Sequence, residues 1–253
     1  MEKDISKKAK RQRRFVTKLV SPPKVTRNFD IKELLENSKG SIGELLVNIF
    51  KKLYDHFGPQ NWWPGDTRLE VCIGAILTQN TSWKNVARAI ENLKKRNLLT
   101  IDALYNIDQA YLADIIRPAG YFNIKAKRLK SFISVIFEDF ESNLDKLFSL
   151  GLDDARRKLL DIKGIGPETA DSILLYAGGL PTFVVDAYTK RILIRHNIID
   201  EDSSYEDIRY LFMDYLPPDI ELFNEYHALL VSLGKYFCKK KRPLCTSCPL
   251  KGI

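Results

Sequence analysis

The sequence contains little cysteine and no long apolar run, and each shortage excludes a class of protein. Only four cysteines occur in 253 residues, three of them near the C-terminal end, so the chain is not a secreted disulfide scaffold. No apolar run approaches the roughly 18 residues that a membrane-spanning helix needs. The charged start lacks the apolar segment of a secretory signal. We therefore expect an intracellular protein, in the cytoplasm or the nucleoid, without a membrane partner.

Strand patterns are nearly absent as well. Period-two alternation of apolar and polar residues is rare, whereas apolar residues recur at helical spacing along most of the chain. Leu69, Ile73 and Ile76, for example, lie on one face of a predicted helix that Thr67 caps. The fold class is predicted to be all-α, in a chain long enough for two compact domains.

The net charge of +8 is concentrated at the start of the chain. Residues 1–28 contain ten Lys and Arg but only two acidic residues, and the rest balances at 30 basic and 30 acidic. We expect a basic, disordered arm that can bind any polyanion with salt-sensitive affinity. A solvated leader without a binding role is the alternative, and the two interpretations are compatible.

A helical hairpin is predicted over residues 155–177. The first helix ends at a tight turn containing Gly164 and Gly166, and the second begins with Pro167 and Glu168, which both favour a helix N-terminus. The glycines leave backbone N–H groups uncovered beside that N-terminus. Such groups form an anion site that suits a DNA phosphate.

A single carboxylate, Asp186, follows the apolar run Phe183-Val184-Val185. An acid carried into the interior by apolar residues is placed for chemistry rather than for solubility. The alternative is a helix N-cap at the start of the segment AYTKRILIRH, and a capping carboxylate can also be catalytic.

Hairpin, aspartate segment and the spacing between them resemble the helix-hairpin-helix and catalytic-aspartate signature of the endonuclease III superfamily of DNA glycosylases. The matching stretches are LLDIKGIGPETA and VVDAYTKR. The resemblance implies two helical lobes across a cleft: a six-helix lobe over residues 60–181 and a discontinuous lobe of residues 29–59 and 182–253. It also implies a monomer that acts on double-stranded DNA containing a damaged base, with Asp186 as the catalytic residue at the lobe junction.

Glu168 departs from the pattern of the bifunctional members. These members have a lysine at the matching position, and its amine attacks the sugar to form a Schiff base. A glutamate cannot form an imine, so the chain is expected to remove the base and leave the abasic strand unbroken. A bifunctional lyase and a non-catalytic DNA-binding module stay as alternatives.

All three tryptophans lie in two neighbouring loops. The segments Trp62-Trp63-Pro64 and LTQNT followed by Trp83 resemble the endonuclease III-like 3-methyladenine glycosylases. This implies a flipped base held between Trp62 and Trp83, with Trp63 and Pro64 as neighbours. An alkylated purine is cationic, and a cation over an indole gains about 2 kcal/mol when desolvated. Core packing is the alternative role, and a uracil or thymine mismatch glycosylase is the rival function.

Gln79, in the LTQN segment, matches the family position that fills the gap left by the flipped nucleotide. Its amide can both donate to and accept from the orphaned partner base. A loop glutamine without a role is the alternative.

The C-terminal pattern Cys238-x6-Cys245-x2-Cys248 resembles the superfamily's [4Fe–4S] motif. The motif's fourth cysteine would fall one position beyond Ile253, so either the sequence is cut at its end or the cluster has three protein thiolates and an unusual fourth ligand. A partial zinc site or a remnant without metal is the alternative. Four cations between the first two cysteines match phosphate contacts of the family, or else form a solvated charge run. They are Lys239, Lys240, Lys241 and Arg242.

Overall fold

A computed structural model describes residues 29–253, and every regular element in that range is helical. The all-α prediction is therefore confirmed for this part of the chain. The basic arm predicted over residues 1–28 lies outside the described residues. Within residues 29–253, no helix is both long enough and apolar enough to cross a membrane.

The helices follow one another with short connections, several of them begun by side-chain caps such as Asp30, Thr67 and Ser204. The first seven are α1 (Ile31–Asn37), α2 (Gly40–Phe57), α3 (Arg68–Leu77), α4 (Trp83–Lys94), α5 (Ile101–Asn106), α6 (Gln109–Ile115) and α7 (Phe122–Glu138). The others are α8 (Leu144–Phe148), α9 (Leu152–Leu160), α10 (Pro167–Ser172), α11 (Ala187–Arg195), α12 (Tyr205–Tyr215) and α13 (Ile220–Tyr236). Helix α10 continues as a π-helical turn, Ile173–Gly178.

Contacts between helices follow the two-lobe arrangement expected for the family. The N-terminal helix α2 packs on α12 and α13 from the other end of the chain, and α11 also packs on α13. Helices α3 to α10 contact mainly one another and the π-helical turn. The exact boundaries at residues 60 and 181 stay a prediction.

The segment that carries Asp186 is fixed by apolar packing. Phe183 is fully buried and stacks in parallel on Phe212 of α12, with 3.6 Å between ring centroids. Val184 and Val185 are also buried. These side chains hold an extended segment against the C-terminal helices, so Asp186 emerges at a fixed place where the two groups of helices meet.

A buried polar network ties the hairpin to this same segment. The fully buried carboxylate of Asp171, on α10, accepts hydrogen bonds from Arg156 Nε at 2.9 Å, Thr182 Oγ1 at 2.9 Å and Tyr205 Oη at 2.8 Å. Tyr205 Oη also accepts from the backbone N–H of Val185 at 3.4 Å. One carboxylate therefore connects both hairpin helices with the segment that leads to Asp186.

Candidate active site and DNA-facing surface

A cleft with a volume of about 380 Å³ lies between the hairpin, the tryptophan loops and helix α13. It brings together side chains from five separate stretches of the chain. Six of the residues that sequence reasoning singled out line it: Trp62, Trp63, Gln79, Trp83, Glu168 and Asp186. Pro64 lines an adjoining cavity of about 620 Å³ that shares the three tryptophans.

Asp186 is the N-cap of α11. Its Oδ1 accepts a hydrogen bond from the backbone N–H of Thr189 at 2.8 Å, which confirms the capping interpretation. Its Oδ2 lies 3.8 Å from Nε2 of His227, and the side chain is only 13% exposed. One carboxylate oxygen is thus committed to the helix, while the other remains for chemistry in the cleft.

A second carboxyl group, Glu168, stands in the first turn of α10 on the same cleft. Although part of the residue is exposed, desolvation of its carboxyl raises the pKa to about 7, and the nearby Asp186 charge adds to the rise. Glu168 therefore holds a proton more readily than an ordinary glutamate, in the same cleft as Asp186. The cleft is also lined by two lysines, Lys84 and Lys235.

The three tryptophans form a chain of edge-to-face contacts. Trp63 meets Trp62 at 5.4 Å and Trp83 at 5.1 Å between ring centroids, with interplanar angles of 79° and 84°. Trp63 also lies 5.2 Å from Tyr176, its ring tilted by 31°. These tryptophans therefore both pack against one another and line the cleft. The indole N–H groups of Trp62 and Trp63 are both buried, and that of Trp62 acts on the Tyr176 hydroxyl, where it opposes the rise in the pKa of that group.

Lys235 is a cleft residue that sequence reasoning missed. Its Nζ lies 5.8 Å from the centroid of the Trp62 ring, in a cation–π arrangement. His227, Val231 and Lys235 line the cleft together and follow one another at intervals of four residues along α13. The spacing is visible in the sequence, but nothing there shows that this helix face meets the tryptophan loop.

Gln79 is bound to the hairpin. Its Nε2 donates to Thr169 Oγ1 at 2.9 Å and to the carbonyl of Gly164 at 3.4 Å, and its Oε1 accepts from Arg128. Gly164 has φ +96°, and a Cβ at this position would collide with the Arg128 side chain. Gly166 is the N-cap of α10. The tight turn predicted from the two glycines is therefore present, and Arg128 and Gln79 close over it.

The three C-terminal cysteines differ in exposure: Cys238 is buried, Cys248 half-buried and Cys245 exposed. The guanidinium of Arg195 lies 3.3 Å from the Cys238 sulfur and donates to the backbone carbonyl of Lys239 at 2.8 Å. Burial raises the pKa of the Cys248 thiol, and charge on the other two sulfurs adds to the rise.

The three C-terminal cysteines do not form a complete metal site in the described residues. In the part of the chain that the structure describes, no group of three or more His, Cys, Asp or Glu side chains is placed to hold a metal ion. The four cations between the first two cysteines, Lys239 to Arg242, are all exposed. They are free to contact an external phosphate.

Comparison with known proteins identifies the relatives of this arrangement. Residues 73–218 match the family model described as HhH-GPD superfamily base excision DNA repair protein. A candidate DNA repair glycosylase of Methanocaldococcus jannaschii is 50% identical over 210 residues, 82% of this chain and 94% of that protein. The endonuclease III of Sulfolobus acidocaldarius is 29% identical over 180 residues, 71% of this chain and 78% of that protein.

Solved structures with the same fold include glycosylase complexes. The H. pylori 3-methyladenine DNA glycosylase bound to 1,N6-ethenoadenine has a TM-score of 0.63 and 29% identity, covering 76% of this chain and 96% of that chain. A trapped endonuclease III–DNA covalent intermediate has a TM-score of 0.72 over 82% of this chain and 92% of that chain. At 21% identity, the latter likeness shows the fold alone.

Proposed function

The chain belongs to the HhH-GPD superfamily of base excision DNA repair proteins, which confirms the resemblance seen in its hairpin and aspartate segment, and we propose that it is a monofunctional glycosylase for alkylated purines of the 3-methyladenine type. DNA glycosylase activity and a DNA partner follow from the family. The proposal concerns the damaged base, the reaction's end point and a monomeric enzyme. The observation that carries it is a capped carboxylate, Asp186, in a cleft lined by three tryptophans.

The proposed chemistry uses the two oxygens of Asp186 differently. Oδ1 is held by the Thr189 N–H, so the plane of the carboxylate is fixed before DNA binds. Oδ2 is left to stabilise positive charge on the sugar as the N-glycosidic bond breaks and to accept a proton from the attacking water. Glu168 cannot form an imine, so the abasic strand remains intact.

Aromatic faces support a purine as the flipped base. A flipped base loses its stacking partners in the duplex, and indole faces replace them. An alkylated purine adds a positive charge that attracts it to an indole face and makes it a good leaving group. The H. pylori relative, 29% identical, is named as a 3-methyladenine glycosylase and was solved with a modified adenine.

Lys235 favours a second candidate, a uracil or thymine mismatch glycosylase. The ammonium group above Trp62 repels a cationic base and attracts a carbonyl oxygen. A uracil or thymine offers two carbonyl groups, whereas 3-methyladenine offers none.

Base release from two duplexes, one methylated and one containing a U:G pair, tests both candidates. We expect release of 3-methyladenine, with strand breaks only after alkali. Lys235→Met, which keeps the length of the side chain without its charge, is expected to speed this release because a repulsive charge is removed. Uracil release that Lys235→Met abolishes would instead establish the second candidate.

The DNA anchors are part of the same proposal. The N–H groups at Gly164 and Gly166 bind a phosphate on one side of the lesion, and the exposed Lys239–Arg242 run contacts the backbone elsewhere. Gln79 fills the gap in the duplex. To do so its amide has to leave Thr169 and Arg128, two partners that keep it folded against the hairpin in the free protein.

We further propose that Cys238, Cys245 and Cys248 provide three thiolates to a [4Fe–4S] cluster. The Arg195 guanidinium beside the Cys238 sulfur fits this role because a positive charge stabilises a thiolate. Hydrolysis of a glycosidic bond needs no redox step, so a cluster bound by these cysteines would hold the C-terminal loop rather than take part in the reaction.

Iron content provides the test of this cofactor. Protein purified without oxygen is expected to be brown and to contain iron and sulfide, and Cys245→Ser is expected to lose both and to melt at a lower temperature. Cys72→Ser, at a cysteine buried in α3 away from this loop, is the matched control for iron content. Colourless protein with one zinc per chain would rule the cluster out.

A further inference from the structure

His227 carries a buried donor that the proposed chemistry has not used. The residue lies on α13 and is only 5% exposed. Its Nδ1 is 2.5 Å from the hydroxyl oxygen of Tyr176, whereas its Nε2 has no hydrogen-bond partner. That Nε2 lies 3.8 Å from Oδ2 of Asp186, the carboxylate oxygen that does not cap helix α11.

Burial and the nearby Asp186 carboxylate together set the direction of the Tyr176–His227 hydrogen bond. Tyr176 is almost fully buried, and burial together with the Asp186 charge raises the pKa of its hydroxyl, so it remains protonated. Burial lowers the pKa of His227, so the ring is neutral at neutral pH. A neutral imidazole has one N–H only. A proton on Nδ1 would leave the bare Nε2 facing the Asp186 carboxylate, whereas a proton on Nε2 faces that carboxylate favourably. We therefore assign the Tyr176 hydroxyl as the donor to Nδ1 and the ring's own proton to Nε2.

We propose that Tyr176 and His227 form a hydrogen-bond relay that positions the Asp186 carboxylate, an inference that rests on the proposed glycosylase function. Tyr176 selects the tautomer, and His227 presents its Nε2–H to Oδ2. The 3.8 Å separation is longer than a hydrogen bond, and a movement of about 1 Å closes it. Hydrogen bonds of catalytic groups are commonly long in the free enzyme and shorten when substrate binds.

Closing this contact would hold both oxygens of Asp186, one through the Thr189 N–H and the other through His227. A carboxylate has about four acceptor positions, so Oδ2 keeps a free lone pair for the sugar or the water. The cleft's other charged groups are Glu168, Lys84 and Lys235. Lys235 acts on His227 through its charge, in the opposite sense to Asp186.

Two substitutions of His227 separate positioning from packing. The amide nitrogen of His227→Gln occupies about the same place as Nε2, whereas His227→Leu offers no donor. We expect His227→Leu to slow single-turnover base release by about tenfold to a hundredfold, the effect of losing one hydrogen bond to a charged group. His227→Gln should recover most of the rate. Affinity for abasic product DNA should be unchanged in both, because the relay does not touch the DNA backbone.

Tyr176→Phe tests the tautomer itself. Nitrogen-15 NMR of the free wild-type protein is expected to show the His227 proton on Nε2, and Tyr176→Phe is expected to give a mixture of tautomers. In the rate assay, combining Tyr176→Phe with His227→Leu should be no slower than His227→Leu alone, because both act through one contact.

The outcomes distinguish this inference from the function on which it rests. A wild-type protein that releases no base from any damaged duplex would overturn the proposed function, and the NMR result would still decide the relay. An active wild type with the proton on Nδ1 would overturn the relay. A His227→Leu variant with the wild-type rate would do the same.

Discussion

Asp186→Asn is expected to slow base release by about a thousandfold while leaving both the fold and DNA binding intact. Asparagine is as good an N-cap as aspartate, so the amide oxygen keeps the hydrogen bond from Thr189. The negative charge that stabilises the developing sugar cation is lost. Removing one electrostatic stabiliser of a transition state lowers the reaction rate roughly a hundredfold to a thousandfold, and the loss of a full charge is expected at the upper end of that range. Single-turnover release from the methylated duplex measures it.

Asp186→Ala provides the matched comparison for this result. It removes the charge and the cap together, and loss of an N-cap costs about 0.5–2 kcal/mol of stability. The alanine variant should therefore be as inactive as the asparagine variant but melt at a lower temperature. An asparagine variant that releases base at the wild-type rate would remove Asp186 from catalysis and leave Glu168 as the carboxyl group of the cleft.

The sequence was sufficient for the parts of the site that short segments encode. The glycine turn, the start of α10 and the aspartate after a buried apolar run depend on residues within a few positions of one another, and their local rules apply wherever the segment lies. The all-α class follows for the same reason, because helical periodicity is also local. These segments then meet in one cleft, which the family resemblance implied.

Contacts between segments that are far apart in the sequence could not be predicted from local patterns. Trp63 contacts both Trp62 and Trp83, so these two rings pack on a third aromatic residue. All three tryptophans also line the cleft. Gln79 is held by Arg128, 49 residues away in the chain. Tryptophan-rich loops predict a stacking pocket, but they do not show which helix packs against them. The roles of Lys235 and His227, which lie on that helix, could therefore not be predicted from the sequence.

Glu168→Lys is expected to turn the enzyme into a strand-cleaving glycosylase that borohydride traps on DNA. Position 168 lies on the cleft with Asp186, where the family's bifunctional members carry their lysine. The desolvation that raises the pKa of Glu168 to about 7 acts on an amine in the opposite direction and favours its neutral, nucleophilic form. The Asp186 carboxylate opposes this shift, so only part of the lysine population is expected to be reactive.

Denaturing gels of borohydride-treated reactions give the measurement, with Glu168→Gln as the control. The wild type and the glutamine variant should release base without a covalent adduct, whereas the lysine variant should form one and break the strand without alkali. Trapping of the wild type would contradict the monofunctional proposal. It would also direct attention to Lys84 and Lys235, the lysines that already line the cleft, because an imine requires an amine within reach of the sugar. An adduct that persists in Lys235→Met would then leave Lys84 as the nucleophile.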